Sequence, residues 1–196
     1  MSRPLPPAFY ARATVAVAKD LLGHRLVSTV GGRRCAVRLV ETEAYVGPHD
    51  PASHAFRWHR SRRNEAMYGP PGSLYVYFTY GMHWCANIVT EREGYPAAVL
   101  LRAGEPVEGV ELMRRRRGGV RDREIASGPA KLAQALGITG RLDGHLVLGP
   151  PLWVEVGEPL DHRRRGTSAR IGVRRGERQR RRYFEKGSPH VSRPRG

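Results

Sequence analysis

The sequence predicts a single α+β domain built on a curved, mostly antiparallel β-sheet with flanking helices. Three observations lead there. Apolar runs of strand length recur from about residue 25 to residue 173 and outnumber the helical stretches. Gly31-Gly32 and Gly81 lie where tight hairpin turns would join neighbouring runs, which favours antiparallel pairing. The 196 residues suffice for one hydrophobic core and contain no internal repeat.

Taken in order, Pro6-Pro7 leads into a helix over about 11–22, stopped by Gly23 just past its end. Residues 25–30 and 34–40 read as strands. The second carries an unusual continuation: with period 2, Cys35, Val37 and Leu39 share a face that then bears Glu41, Glu43 and Tyr45. Side chains two apart on a strand are separated by roughly 6.6 Å, so a carboxylate and a flat ring fall within reach of one small ligand. The competing reading is that the strand leaves the core here and its polar residues face water.

Residues 46–72 form a long loop rich in Gly, Pro, His and Arg. Loops of this length in a compact domain are functional or disordered. Within it, Arg57-Trp58-His59-Arg60-Ser61-Arg62-Arg63-Asn64 interleaves basic residues with an aromatic. Phosphate contact with stacking is one reading; a solvated surface loop is the other. Next, Leu74 to Val89 reads as two strands flanking Gly81, with Tyr75 and Tyr77 on one face and Leu74, Val76 and Phe78 on the other. Their turn exposes Tyr80, Met82 and His83. A strand over 97–102 follows, then helices over 105–117 and 128–136, with the basic run at 114–123 either a connector or a frayed helix end. Further strands are predicted at 145–148, 152–156 and 169–173. The tail is basic from Arg174, with a mobile end at about 190–196.

Composition restricts the partner. Lys+Arg total 34 against 18 Asp+Glu, a net charge of +16, which favours a polyanion. Only Lys19, Lys131 and Lys186 are lysines; phosphate recognition and codon bias both account for the arginine excess. Cys35 and Cys85 form no Cys-x-x-Cys pair, which argues against a disulfide framework or a cysteine zinc site and fits a reducing cytosol. No secretory signal or membrane span is recognised. His49, His54 and His59 match no metal-ligand spacing, and no phosphate-binding loop or nucleophile elbow is present, so no metal or cofactor is expected. From the residues alone, the chain is a basic domain facing nucleic acid, with carboxylates beside aromatics.

The block Arg38-Leu39-Val40-Glu41-Thr42-Glu43-Ala44-Tyr45-Val46-Gly47, followed by Tyr75-Val76-Tyr77 and Tyr80-Gly81-Met82, resembles the alkyladenine (3-methyladenine, methylpurine) DNA glycosylase family. The likeness continues through Asn87, Leu100-Leu101-Arg102-Ala103, Glu105-Pro106 and Gly128-Pro129-Ala130-Lys131-Leu132, to Arg170-Ile171-Gly172-Val173 and Gly187-Ser188-Pro189. It implies one glycosylase domain over residues 1–196 and the same fold. It also implies a monofunctional enzyme acting as a monomer on double-stranded DNA with damaged purines, cytoplasmic and nucleoid-associated in a bacterium or nuclear in a eukaryote. By resemblance, Glu43 is the general base for water, and Arg102 positions that water and holds Glu43 ionised. Tyr45 and His54 on one side and Tyr77 on the other sandwich the flipped base. Asn87 bars guanine, Tyr80 intercalates with Met82 beside it, and Glu41 is structural or solvated. The alternative class is a basic DNA-binding protein without chemistry.

Overall fold

The computed structural model describes residues 3–192. Nine antiparallel strands form one curled sheet: β1 (Arg25–Ser28), β2 (Cys35–Tyr45), β3 (Leu74–Thr79), β4 (His83–Thr90), β5 (Ala97–Glu108), β6 (Leu148–Gly149), β7 (Leu152–Glu155), β8 (Arg165–Ser168) and β9 (Arg182–Glu185). The order is β3-β4-β5-β2, and at β2 the sheet forks. Residues 35–38 of β2 pair with β1, which continues to β7 and β6, whereas Glu41 to Glu43 pair with β9, which continues to β8. The other edge of β2 pairs with β5 along its length. The predicted α+β architecture is therefore observed, with β2 at its centre.

Helices α1 (Pro7–Tyr10), α2 (Thr14–Asp20), α3 (Val110–Arg116), α4 (Asp122–Ile125) and α5 (Pro129–Leu136) complete the chain with several single 3-10 turns. The main core lies between one sheet face and these helices, where Val17, Leu21, Leu39, Ile88, Leu101, Met113 and Leu132 are buried together. The opposite face is covered in part by the 46–72 loop, which packs Ala55, Met67 and Tyr68 on Tyr75, Val89 and Ala98. That loop is ordered into 3-10 turns at Gly47–His49, Phe56–Trp58 and Arg62–Tyr68.

Several boundaries differ from the sequence expectation, each for a visible reason. The 11–22 helix is reduced to Thr14–Asp20, because Ala13 has non-helical backbone and Glu91 caps the Thr14 N–H and hydroxyl (2.7 and 2.9 Å). The 105–117 helix starts only at Val110, since Glu105 and Glu108 stay in β5 and pair across the sheet with Arg38 and Arg34. Residues 169–173 are not a strand. The last two strands are 165–168 and 182–185, the second inside what reads as a charged tail. The expected mobile end also begins too early: Ser192 is buried and hydrogen-bonded to Glu41 (2.6 and 2.7 Å), while residues 193–196 lie outside the described residues.

Gly109 makes the turn from β5 into α3 with φ +65°, and a Cβ there would lie 2.6 Å from the Arg34 carbonyl oxygen and 2.7 Å from Cys35 Cβ. Left-handed backbone alone costs an ordinary residue about 1–2 kcal/mol. Gly109→Ala is therefore expected to lower the melting temperature by at least about 2 °C, at roughly 2–4 °C per kcal/mol for a domain of this size. An unchanged melting curve would show that the turn relaxes freely.

Candidate active site

Two compensating bulges build the site. Leu39 pairs with Gly104 and Glu41 with Ala103, leaving Val40 extra on β2; Thr42 then pairs with Leu101, leaving Arg102 extra on β5. A bulge reverses which residues face which side. Cys35, Val37 and Leu39 point into the helix-covered core, but beyond the bulge Ala44 joins that core and Thr42 donates to the Ala18 carbonyl of α2. Glu41, Glu43 and Tyr45 consequently lie on the opposite face from Leu39, and the single shared face inferred from period 2 is corrected. Nor do the carboxylates face water: both are fully buried.

Glu41 is the more heavily bonded. Its Oε1 accepts from Arg102 Nε, Arg182 Nε and the Ser192 hydroxyl, all at 2.7 Å, and its Oε2 accepts from the Ser192 N–H at 2.6 Å. Burial by itself would raise its pKa, but the charges and hydrogen bonds of Arg102 and Arg182 outweigh it and hold the carboxyl below its ordinary value. Glu43 is held differently. Its Oε1 accepts from the Ile171 N–H at 2.8 Å and lies 3.3 Å from Arg102 Nη1, while its Oε2 accepts from the Tyr45 hydroxyl at 2.9 Å. Arg102 thus spans both carboxylates. Burial and the neighbouring Glu43 push the Tyr45 phenol well up, so it remains a donor.

A further ion pair braces Tyr45 from behind. Arg170 donates to both Asp50 oxygens (2.5 and 2.8 Å) and to the Ala44 carbonyl (3.0 Å), and its guanidinium sits 4.7 Å from the Tyr45 ring centroid. Arg181 approaches the same carboxylate at 3.1 Å. Against the effect of burial, Arg170 holds the Asp50 carboxyl below its ordinary value. One face of Tyr45 is thereby covered by a cation.

Register carries the site across the sheet. Tyr75, Asn87, Leu100, Glu43 and Arg182 pair successively from β3 through β4, β5 and β2 to β9, so their side chains share one face. Asn87 and Glu43 are two strands apart, about 10 Å. Asn87 donates to the Tyr75 carbonyl at 3.1 Å. Tyr75 and Tyr77 are stacked (5.3 Å, 28°), as their alternation predicts. His54 meets the Tyr75 hydroxyl at 2.7 Å and stands edge-on to Tyr77 with centroids 4.7 Å apart. A base between two rings needs about 7 Å, twice the contact distance of carbon atoms. In this structure His54 and Tyr77 therefore form one wall, not opposed jaws. Partial burial of the imidazole, then the charge of Arg63, lowers the His54 pKa and favours the neutral ring.

Tyr80 and Gly81 occupy the β3–β4 turn with φ +51° and +67°, the positive values of a primed hairpin turn. They place Tyr80 at 83% exposure and Met82 at 68%, the expected projecting tip. Sequence reasoning overlooked Asp50, Ile171, Arg182 and Ser192. The Arg170-Ile171-Gly172-Val173 block signalled two important contacts, but nothing in its pattern showed that they were an Asp50 clamp and a backbone donor to Glu43.

Because the Glu41 and Asp50 carboxyls are both depressed on folding, their stabilisation is full above their unfolded values and is lost as pH falls through the folded ones. Unfolding free energy is expected to be insensitive to these groups above about pH 5 and to fall steeply below about pH 4. Glu41→Gln should flatten that acid limb in denaturant titrations; an unaltered limb would remove Glu41 from the account.

The chain was compared with known proteins. Residues 8–189 match the family model described as methylpurine-DNA glycosylase. A provisionally named 3-methyladenine DNA glycosylase of Carboxydothermus hydrogenoformans is 47% identical over 189 residues, covering 96% of this chain and 98% of the relative. One of the same name from Methanocella arvoryzae is 49% identical over 193 residues, covering 96% and 95%. Another from Streptomyces avermitilis is 49% identical over 174 residues, covering 87% and 81%. With a family match spanning nearly all the described residues, and these relatives aligned almost end to end, the chain belongs to the methylpurine-DNA glycosylase family of DNA-repair proteins.

Proposed function

We propose that this DNA glycosylase is a monofunctional hydrolase that extracts alkylated purines from duplex DNA and cleaves their N-glycosidic bond with a water activated by Glu43. The observation carrying this reading is the Glu43 carboxylate, buried among Arg102, Tyr45 and the Ile171 N–H. Groups fixed before reaction need no reorganisation as charge develops. Loss of the purine leaves oxocarbenium character on the sugar. A carboxylate stabilises that charge and accepts the proton of the attacking water as the new C–O bond forms. Arg102, whose guanidinium spans Glu41 and Glu43, orients the water.

The target base must first leave the stack. Tyr80 and Met82 on the hairpin tip fill the gap from the minor-groove side. The extracted purine lies against the open face of Tyr45, with the wall of Tyr77 and neutral His54 on its other side. N3- or N7-alkylated purines are cationic, which favours electron-rich rings and makes the base a good leaving group. A protonated histidine would oppose that charge, so the lowered His54 pKa supports the assignment. Asn87 bars the exocyclic amino group of guanine through a side chain held by the Tyr75 carbonyl. The protein acts on duplex DNA as a monomer, and in a bacterial or archaeal cell it works at the nucleoid. Among the described residues no helix is long and apolar enough to cross a membrane.

Glu43→Gln is expected to lower the single-turnover rate of base release at least about 10²-fold while binding to damaged duplex persists. A near-normal rate would move the base elsewhere, and no release by the wild type would favour a DNA-binding protein without chemistry. Tyr80→Ala should slow excision of a paired target more than of a mispaired one, since less unstacking is then required. Equal losses on both substrates would assign Tyr80 a role other than wedging.

A further inference from the structure

The 56–64 segment is unused by the reaction, yet it is built with unusual care. Arg57 and Trp58 both adopt left-handed backbone (φ +56° and +63°), a conformation that costs non-glycine residues about 1–2 kcal/mol each. Side chains hold it in place. The Tyr68 hydroxyl meets the carbonyls of Trp58 (3.1 Å) and His59 (3.0 Å), and Asn64 donates to the carbonyls of His59 (2.9 Å) and His54 (3.2 Å). Ser61 and Asn64 close a reciprocal cap over the following turn. Strain kept by a dedicated scaffold is a mark of function.

What the scaffold presents is Trp58, 51% exposed, with its ring edge-on to Tyr95 at 5.8 Å. Arg57 and Arg62 stand exposed on the same segment, and none of the residues from Phe56 to Asn64 is acidic. Both ends are pinned to β3. At the near end His54 rests on Tyr75 and Tyr77; at the far end Arg63 donates to the Phe78 carbonyl at 2.9 Å, two residues before Tyr80. The segment therefore borders the strand that carries Tyr75 and Tyr77 and leads into the exposed tip.

We propose that Trp58 with Arg57 and Arg62 forms a second DNA-binding element, separate from the tip, in which the indole stacks on a base or sugar face of the duplex flanking the target and the arginines take phosphates. An exposed indole suits stacking on nucleobases of any sequence, and guanidinium groups suit phosphate oxygens. This rests on DNA being the substrate, but not on Glu43 or on the chemistry proposed for it.

The test is binding of the full chain to a short undamaged duplex, followed by fluorescence anisotropy across a salt series. Trp58→Ala is expected to weaken binding by about threefold or more with an unchanged salt slope, less than stacking on an unpaired base would give because a duplex covers its base faces. Trp58→Phe should recover much of the loss. Arg57→Ala and Arg62→Ala should each reduce the slope of log K against log salt by about 1. Trp58→Gly, which relaxes the left-handed backbone, should bind as weakly as Trp58→Ala while melting no lower than it. Wild-type affinity in Trp58→Ala, or losses that follow melting temperature through all the variants, would overturn the proposal. A wild-type chain that fails to bind duplex would instead overturn the glycosylase reading itself.

Discussion

Three carboxylates, Glu41, Glu43 and Asp50, are fully buried within a short stretch of one chain, and the structure depends on how their charge is balanced. An isolated buried carboxylate would protonate or unfold its surroundings. Here three buried arginines answer them: Arg102 from β5, Arg182 from β9 and Arg170 from the segment between β8 and β9. Each arginine comes from a part of the chain distant from β2. The charges therefore help to specify which elements meet at the fork of the sheet. Glu41 holds Arg102 through Nε, so the remaining edge of that guanidinium is presented to Glu43.

The two members of the Glu-Thr-Glu sequence show how alike residues come to lie in different surroundings. Glu41 is saturated by two guanidinium groups and by Ser192, which leaves it little capacity to take a proton. Glu43 touches one guanidinium at longer range, one backbone N–H and one phenol. Their contrast comes from the surroundings delivered by the bulges, since the side chains are chemically identical.

Much of this architecture was legible in the sequence where local pattern and tertiary role agree. The Tyr75/Tyr77 face, the Gly81 turn with its exposed neighbours, and the antiparallel order all follow from alternation and turn chemistry. Illegible features were those that break a period. Val40 and Arg102 are unpaired residues in the middle of long strands, and no composition cue marks a bulge placed mid-strand. Likewise Arg182 and Ser192 lie in a region whose charge suggests solvent, because a buried arginine looks like any other until its partner is known. Glu105 and Glu108 misled the helix boundary for the same reason: their cross-strand arginines, not helix propensity, decide their conformation.

The bond between Glu41 and Ser192 joins residues 151 positions apart. Strand β2 is separated from its β9 partner by most of the described chain. The arginines that face Glu41, Glu43 and Asp50 (Arg102, Arg170 and Arg182) are likewise far from them along the chain. Contacts of such high sequence separation form slowly, so the complete charge set of the fork is expected to close after the local β3–β4 hairpin, as the last step of folding rather than its nucleus.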